Sequence, residues 1–313
     1  MTSDITIVSR NATTWTADKR LDEEAYRQSL QPFLESKIVV FLASGGSGEA
    51  NSLSPDELKR VYEIGVEVFK GKMPVYANVP ETRNARDAIE FAKVAIDAGV
   101  DAVNFYGPAS LHGYQPLENE LVRYFEVVLD EIRHPALIAP NPSQGYEPSP
   151  RLIANVANKY SQVFAVNLVG LDGDDYFLEL RDLLDSRVSL NVPLPGALQM
   201  LDLGATGLIC NLSNLIPKTV RRYVDLYQAG DRSELGLVYA DLQRFSRYVD
   251  HGPWKNPRWQ KMAMQIFQLP GWQGGLREPL LMPSDEEIES FKRGLLALDL
   301  AEINELAAVA GLR

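Results

Sequence analysis

The chain is short of cysteine, histidine and positive charge. One cysteine, Cys210, excludes an internal disulfide and fits a reducing compartment. With 31 Lys and Arg against 42 Asp and Glu, the net charge is -11, which argues against nucleic-acid binding, since neutralising phosphates takes concentrated basic residues. No apolar run approaches the ~20 residues of a membrane-spanning helix. The opening "MTSDITIVSRNATT" also lacks the apolar core of a secretory signal. A cytoplasmic protein with no membrane partner is expected.

What the chain does have, in 313 residues, is alternation. Short apolar runs at 4–10, 37–43, 74–79, 101–106, 135–140, 163–168, 187–192 and 206–212 are each followed by a helical pattern. Ala88, Phe91, Ala92 and Ala95 share one helix face before Gly99. Ser54, Pro55 and Glu57 form a capping box with proline at the first helical position. Eight such units suit a TIM (β/α)8 barrel over residues 1–230. A doubly wound sheet uses the same alternation, usually with fewer strands. Further helical patterns over 231–313 predict a C-terminal helical extension packed on the barrel.

Asparagine recurs at the strand ends: Asn11, Asn78, Asn104, Asn141, Asn167, Asn191 and Asn211. It is depleted in strands, and a barrel's chemistry sits where the strands end. Each asparagine alone also suits an Asx-turn opening a loop. Taken together they suggest a mouth lined with neutral amides. Amides do not titrate, so such a mouth binds and orients a small oxygen-rich ligand but moves no protons. After strand 2, Gly45, Gly46 and Gly48 permit positive φ and leave backbone N–H groups open to an anion, with Ser47 adding a hydroxyl. A tight structural turn reads equally well from the same glycines.

These residues resemble the dihydrodipicolinate synthase / N-acetylneuraminate lyase family. Gly45-Gly46-Ser47-Gly48-Glu49 with "SLSPDEL" is similar to its Gly-Thr-Thr-Gly-Glu loop and the acidic helix start that follows. "GATGLICNLSNLIP" (204–217) is similar to its Gly-Ala-Asp-Gly-Val-Ile element with a downstream Asn-x-x-Pro. "TTWTADKRLDEEAY" and "LREPLLMPSDEE" extend the likeness over nearly the whole chain. The resemblance implies a TIM barrel with C-terminal helices and a homo-oligomer, tetramer or dimer. It also implies aldol addition or cleavage on 2-oxo acids through a lysine Schiff base.

The four positions that carry this chemistry differ here. Asn167, in Ala165-Val166-Asn167, stands where the family has its Schiff-base lysine, and Ala139, in "APNP", where it has the catalytic tyrosine. Gly46 replaces the first threonine of the loop, and Ser47 keeps the second conservatively. The Pro-Tyr-Tyr element after strand 4 has no counterpart in register; Tyr106 and Tyr114 lie off the motif. A carboxamide nitrogen is delocalised into its carbonyl and forms no stable imine. Lys218, just after strand 8, reads as a surface charge.

The catalytic residues are therefore left open. Substrate-binding residues are expected at Gly46, Ser47, Asn141, Asn167, Asn191 and Asn211, with a small carboxylate as partner and neither cofactor nor metal. Arg10 is a candidate for a second carboxylate, and His112 for a base. A cation held by Asp172, Asp174 and Glu49 is the metal alternative. Three functions follow: a lyase or hydro-lyase without a Schiff base, a catalytically silent binding or regulatory protein, and, least favoured, a conventional pyruvate-dependent aldolase.

Overall fold

A computed structural model describes residues 5–110, 112–170, 174–194, 196–250 and 252–312. Its eight strands close in chain order into one parallel barrel. They are β1 (Thr6–Arg10), β2 (Val39–Leu42), β3 (Val75–Asn78), β4 (Ala102–Phe105), β5 (Ala136–Ile138), β6 (Val163–Asn167), β7 (Ser189–Pro193) and β8 (Gly207–Cys210). Seven of the eight lie within the apolar runs read from the sequence, most of which overshoot where their last residues turn into loops, and β7 reaches one residue past its run, to Pro193. The TIM barrel with C-terminal helices is the observed architecture.

Period-2 alternation sorts the strand side chains into layers. Val8, Phe41, Ala102, Leu137, Ala165 and Ile209 pack together inside the barrel as an apolar plug. Two residues further along β1, β4 and β6, toward the mouth, the inward positions become Arg10, Asn104 and Asn167. The register pairs Asn78 with Asn104 and Asn167 with Asn191. Asn78, Asn104, Asn167 and Asn191 therefore share one level because the barrel's stagger puts them there.

The enclosing helices are α1 (Glu23–Glu35), α2 (Pro55–Phe69), α3 (Ala85–Asp97), α4 (Glu118–Glu131), α5 (Pro150–Lys159), α6 (Asp174–Leu183), α7 (Ala197–Asp202) and α8 (Pro217–Ala229). The α2 capping box is formed: Glu57 N–H donates to Ser54 Oγ at 3.2 Å, and Ser54 N–H to the Glu57 carboxylate at 2.9 Å. Beyond the barrel come α9 (Arg232–Asp250), α10 (Arg258–Phe267), α11 (Asp285–Ala297) and α12 (Ala301–Val309). Helix α10 buries Trp259, Gln260, Lys261, Met262 and Ala263 in succession. Docking against the barrel and the neighbouring helices covers this helix on most of its sides. Glu302 on α12 clasps the start of α8, accepting from Thr219 N–H at 2.8 Å and Lys218 N–H at 3.1 Å. A carboxylate there satisfies orphan donors and complements the helix dipole. No helix among the described residues is long and apolar enough to cross a membrane.

Candidate functional site: an amide chain across the barrel mouth

Asn167 is fully buried at the end of β6, where an unpaired amide would be costly. Its Nδ2 donates to Asn104 Oδ1 at 2.8 Å, and its Oδ1 accepts from Asn191 Nδ2 at 2.7 Å. Asn104 Nδ2 in turn donates to Asn78 Oδ1 at 3.0 Å, and the Tyr106 hydroxyl donates to the same oxygen, also at 3.0 Å. Four carboxamides from β7, β6, β4 and β3 thus form one directed chain. Its two ends, Asn191 Oδ1 and Asn78 Nδ2, are buried without a partner among the described residues.

One glycine makes room for this chain. A Cβ on Gly207, the first residue of β8, would collide with Asn191 Oδ1. Gly207→Ala is therefore expected to push Asn191 off Asn167 and destabilise the fold by about 1–3 kcal/mol, the usual cost of overpacking a core. Urea unfolding against the wild type measures it; an unchanged midpoint would mean that the barrel absorbs the methyl group without moving Asn191.

Two charged residues, Arg10 and Glu81, stand at the same end of the barrel as the amides. Arg10 follows Val8 on the inward face of β1; its Nε is buried, with neither a hydrogen bond nor an ion pair among the described residues. Glu81, in the loop after β3, lies against the glycine-rich loop: a Cβ on Gly45 would come to 3.1 Å from Glu81 Oε1. On its other side are Ser143 and Gln144, in a turn fixed by Asn141 Oδ1, which accepts from Ser143 N–H at 3.0 Å. Burial raises the Glu81 carboxyl above the ordinary value, against the smaller opposing pull of Ser143 and Gln144. The Gln144 amide faces that carboxyl but makes no hydrogen bond of ordinary geometry. Tyr106 lies in the fields of both charges. Burial pushes its phenol up to about 12, with Arg10 lowering and Glu81 raising it.

The glycine-rich loop departs from the expected geometry. None of Gly45, Gly46 and Gly48 has positive φ; the left-handed residues are Ala43 and Glu49. Gly48 is required by close packing instead, since a Cβ there would sit 2.6 Å from Ser44 N. Gly46 approaches Asn256, and Ser47 Oγ accepts from Gln260 Nε2 at 2.9 Å. One residue further along α10 is a lysine that the sequence reading passed over. Lys261 Nζ, 1% exposed, pairs with Glu49 at 2.9 Å and donates to Thr13 O. Glu49 Oε1 also accepts from Trp15 Nε1 at 3.0 Å. Burial lowers the Lys261 ammonium, and Glu49 opposes that shift. The ammonium serves the base of the loop; none of the eight strands contains a lysine.

The structure thus brings Asn167 and Asn191 together and puts Ser47 beside α10. Asn141 forms the local turn, and Asn11 turns away to donate to Tyr26 Oη at 2.8 Å. Asn211 caps the short turn over Leu212–Asn214 through its carbonyl, which accepts from Asn214. Lys218 is a surface charge paired with Glu305 at 2.9 Å, and His112 is exposed. Among the metal candidates, Glu49 is engaged by Lys261, and Asp174 accepts from Gln199 at 2.6 Å. Asp172 lies outside the described residues.

The whole sequence from residue 5 to 298 matches the dihydrodipicolinate synthetase family. The chain belongs to that family. Among its relatives, the 4-hydroxy-tetrahydrodipicolinate synthase of Methanopyrus kandleri is 27% identical over 283 residues, covering 90% of this chain and 92% of that protein. The enzyme of the same name from Chlorobium phaeovibrioides is 26% identical over 286 residues, 89% and 90% of the two chains. Dihydrodipicolinate synthase from Aquifex aeolicus superposes with a TM-score of 0.85 at 20% identity, over 95% of this chain and 98% of that one. So does YagE of E. coli K12, a family member solved in complex with pyruvate, at TM-score 0.85 and 20% identity over 95% and 99%. At such identities the structures share the family fold, and the chemistry has to be read from the site itself.

Glu81 and Lys261 were missed for different reasons. Glu81 stands in "NVPETRN", where nothing local separates it from a solvated loop carboxylate. Lys261 lies more than 200 residues from Glu49, and only the docking of α10 joins them. A lysine within the run Trp259–Phe267, which holds no other charged residue, was the available signal.

Proposed function

We propose that this family member binds a small oxo- or hydroxy-carboxylate at the barrel mouth and acts on it as a lyase or hydro-lyase without a Schiff base. The observation that carries this reading is Asn167, set by the family resemblance against the lysine and held by neighbouring amides at both ends. Arg10 supplies the counter-charge for the ligand's carboxylate. Asn78 Nδ2 donates to a hydroxyl or carbonyl oxygen of the ligand, and Asn191 Oδ1 accepts from a ligand hydroxyl. Glu81 is the proton-transfer group, since a carboxyl raised by burial suits acid–base work closer to neutral pH. As a carboxylate it removes the proton α to the ligand's carboxylate, the C–H electrons form the new C=C bond, and the β C–O bond breaks. The same proton then leaves with the departing oxygen as water. The Tyr106 phenol, kept protonated, donates into the amide chain and takes no part as a base.

Two measurements test this. Pyruvate followed by borohydride is expected to leave the protein's mass unchanged; an adduct on any lysine, Lys261 included, defeats the proposal. A thermal-shift screen over small 2-oxo, hydroxy and sugar acids, with product analysis of each hit, finds the ligand. Ligands that bind and never turn over support instead the silent, regulatory reading, which the non-titrating amide chain favours.

The pH dependence has a definite sign. Glu81 has a folded pKa above its unfolded value, so between the two the folded state binds more protons. Its contribution to stability is complete below the unfolded value, near 4.5, and is lost as pH rises through the folded value. Binding of an anion beside it weakens over the same interval. Glu81→Gln is expected to remove both trends and to abolish turnover; a variant with the wild-type pH profile would clear Glu81 of the role.

A further inference from the structure

A cavity of about 130 Å³ lies outside the barrel, between α1, the loop after β8 and α10. Its wall is mostly apolar, with Phe33, Leu215, Ala263, Met264 and Leu269 contributing, and no charged side chain lines it. Two wall residues carry buried polar atoms without a partner among the described residues: Trp259 Nε1, a donor, and Gln260 Oε1, an acceptor. Trp259 is 0% and Gln260 2% exposed, so both atoms bear the cost of an unmade hydrogen bond. The two hydroxyls of the wall are already donating, Thr14 to Asp22 O at 2.9 Å and Ser29 to Tyr26 O at 2.8 Å.

We propose that this cavity is a binding site for a small neutral molecule with an apolar body, of ring size, and one hydroxyl group. A hydroxyl accepts one hydrogen bond and donates another, which matches one orphan donor and one orphan acceptor. A carboxylate would lose its hydration here and find no cation, so this ligand differs in class from the one proposed for the mouth. The volume is close to the ~150 Å³ at which an apolar cavity takes up a benzene-sized guest, and several times the ~30 Å³ of one water. The inference does not depend on the chemistry assigned to the mouth.

The site is also linked to the glycine-rich loop. Gln260 lines the cavity with one end of its amide in the bond to Ser47, Nε2 to Oγ at 2.9 Å. The next residue, Lys261, holds Glu49 at 2.9 Å. A guest that fixes the Gln260 amide and packs against α10 therefore orders residues 44–50.

Phenol is the probe, used on the full chain by titration calorimetry. Saturable binding at one site per chain is expected, with benzene at least threefold weaker for want of the hydroxyl. Ala263→Leu fills the cavity and is expected to abolish binding. Trp259→Phe removes the N–H and is expected to weaken phenol about three- to tenfold while leaving benzene unchanged, which keeps the test decisive if the leucine variant does not fold. Amide hydrogen exchange over residues 44–50 is expected to slow at saturation. Absent saturable binding, equal affinity for benzene and phenol, phenol affinity unaltered in both variants, or a change of oligomeric mass on filling the cavity would each overturn the site. Unchanged exchange over residues 44–50 would overturn the link.

Discussion

Asn167→Leu is expected to destabilise the protein by about 2–6 kcal/mol, although it replaces a polar residue in the core with an apolar one. Ordinarily such a swap costs little. Here it strands two buried groups, Asn104 Oδ1 and Asn191 Nδ2, which now pair with Asn167 at 2.8 and 2.7 Å. Each stranded group costs about 1–3 kcal/mol, because it gave up water on folding and receives nothing in return. The check is urea unfolding followed by circular dichroism. Asn104→Leu in the same background tests the cause. If the chain is what holds the level together, the double variant loses less than the sum of the two single losses, because the second change removes groups already orphaned. A loss under ~1 kcal/mol for Asn167→Leu would mean that the four amides are independent side chains sharing a level.

Lys261→Met should be as damaging. It leaves the Glu49 carboxylate in a dry setting with Trp15 Nε1 at 3.0 Å, and removes the donor held by Thr13 O. Breaking a buried pair on one side costs about 3–5 kcal/mol, while replacing both partners by neutral groups is often nearly neutral. Glu49→Gln with Lys261→Met is therefore expected to recover much of the loss, and unfolding free energies of the three variants measure it. The damage should be greatest at the glycine-rich loop, because Glu49 closes that loop in a left-handed conformation and Gln260, the neighbour of Lys261, bonds Ser47. Faster hydrogen exchange over residues 44–50 in Lys261→Met, with the barrel strands unaffected, would place the effect there.

The fold was legible because its signals are local. Eight apolar runs, the capping box at Ser54 and the helical face of Ala88, Ala92 and Ala95 each depend on neighbours within a few residues, and each became the element it suggested. The level of asparagines was legible too, as recurrence at strand ends. Its partition was not: Asn141 and Asn11 serve turns and helix contacts, while Asn78, Asn104, Asn167 and Asn191 bond one another. Strand phase and barrel stagger decide which side a residue faces, and a shift of one position reverses it.

The sequence by itself determined the barrel, the family and the amide at position 167, since periodicity and motif spacing are written along the chain. Tertiary structure alone decided what that amide touches, that Glu81 lies between two loops, and that Lys261 supports the glycine-rich loop from a distant helix. Those are contacts between residues far apart in the chain, fixed by how strands close and helices dock, and no local pattern encodes them.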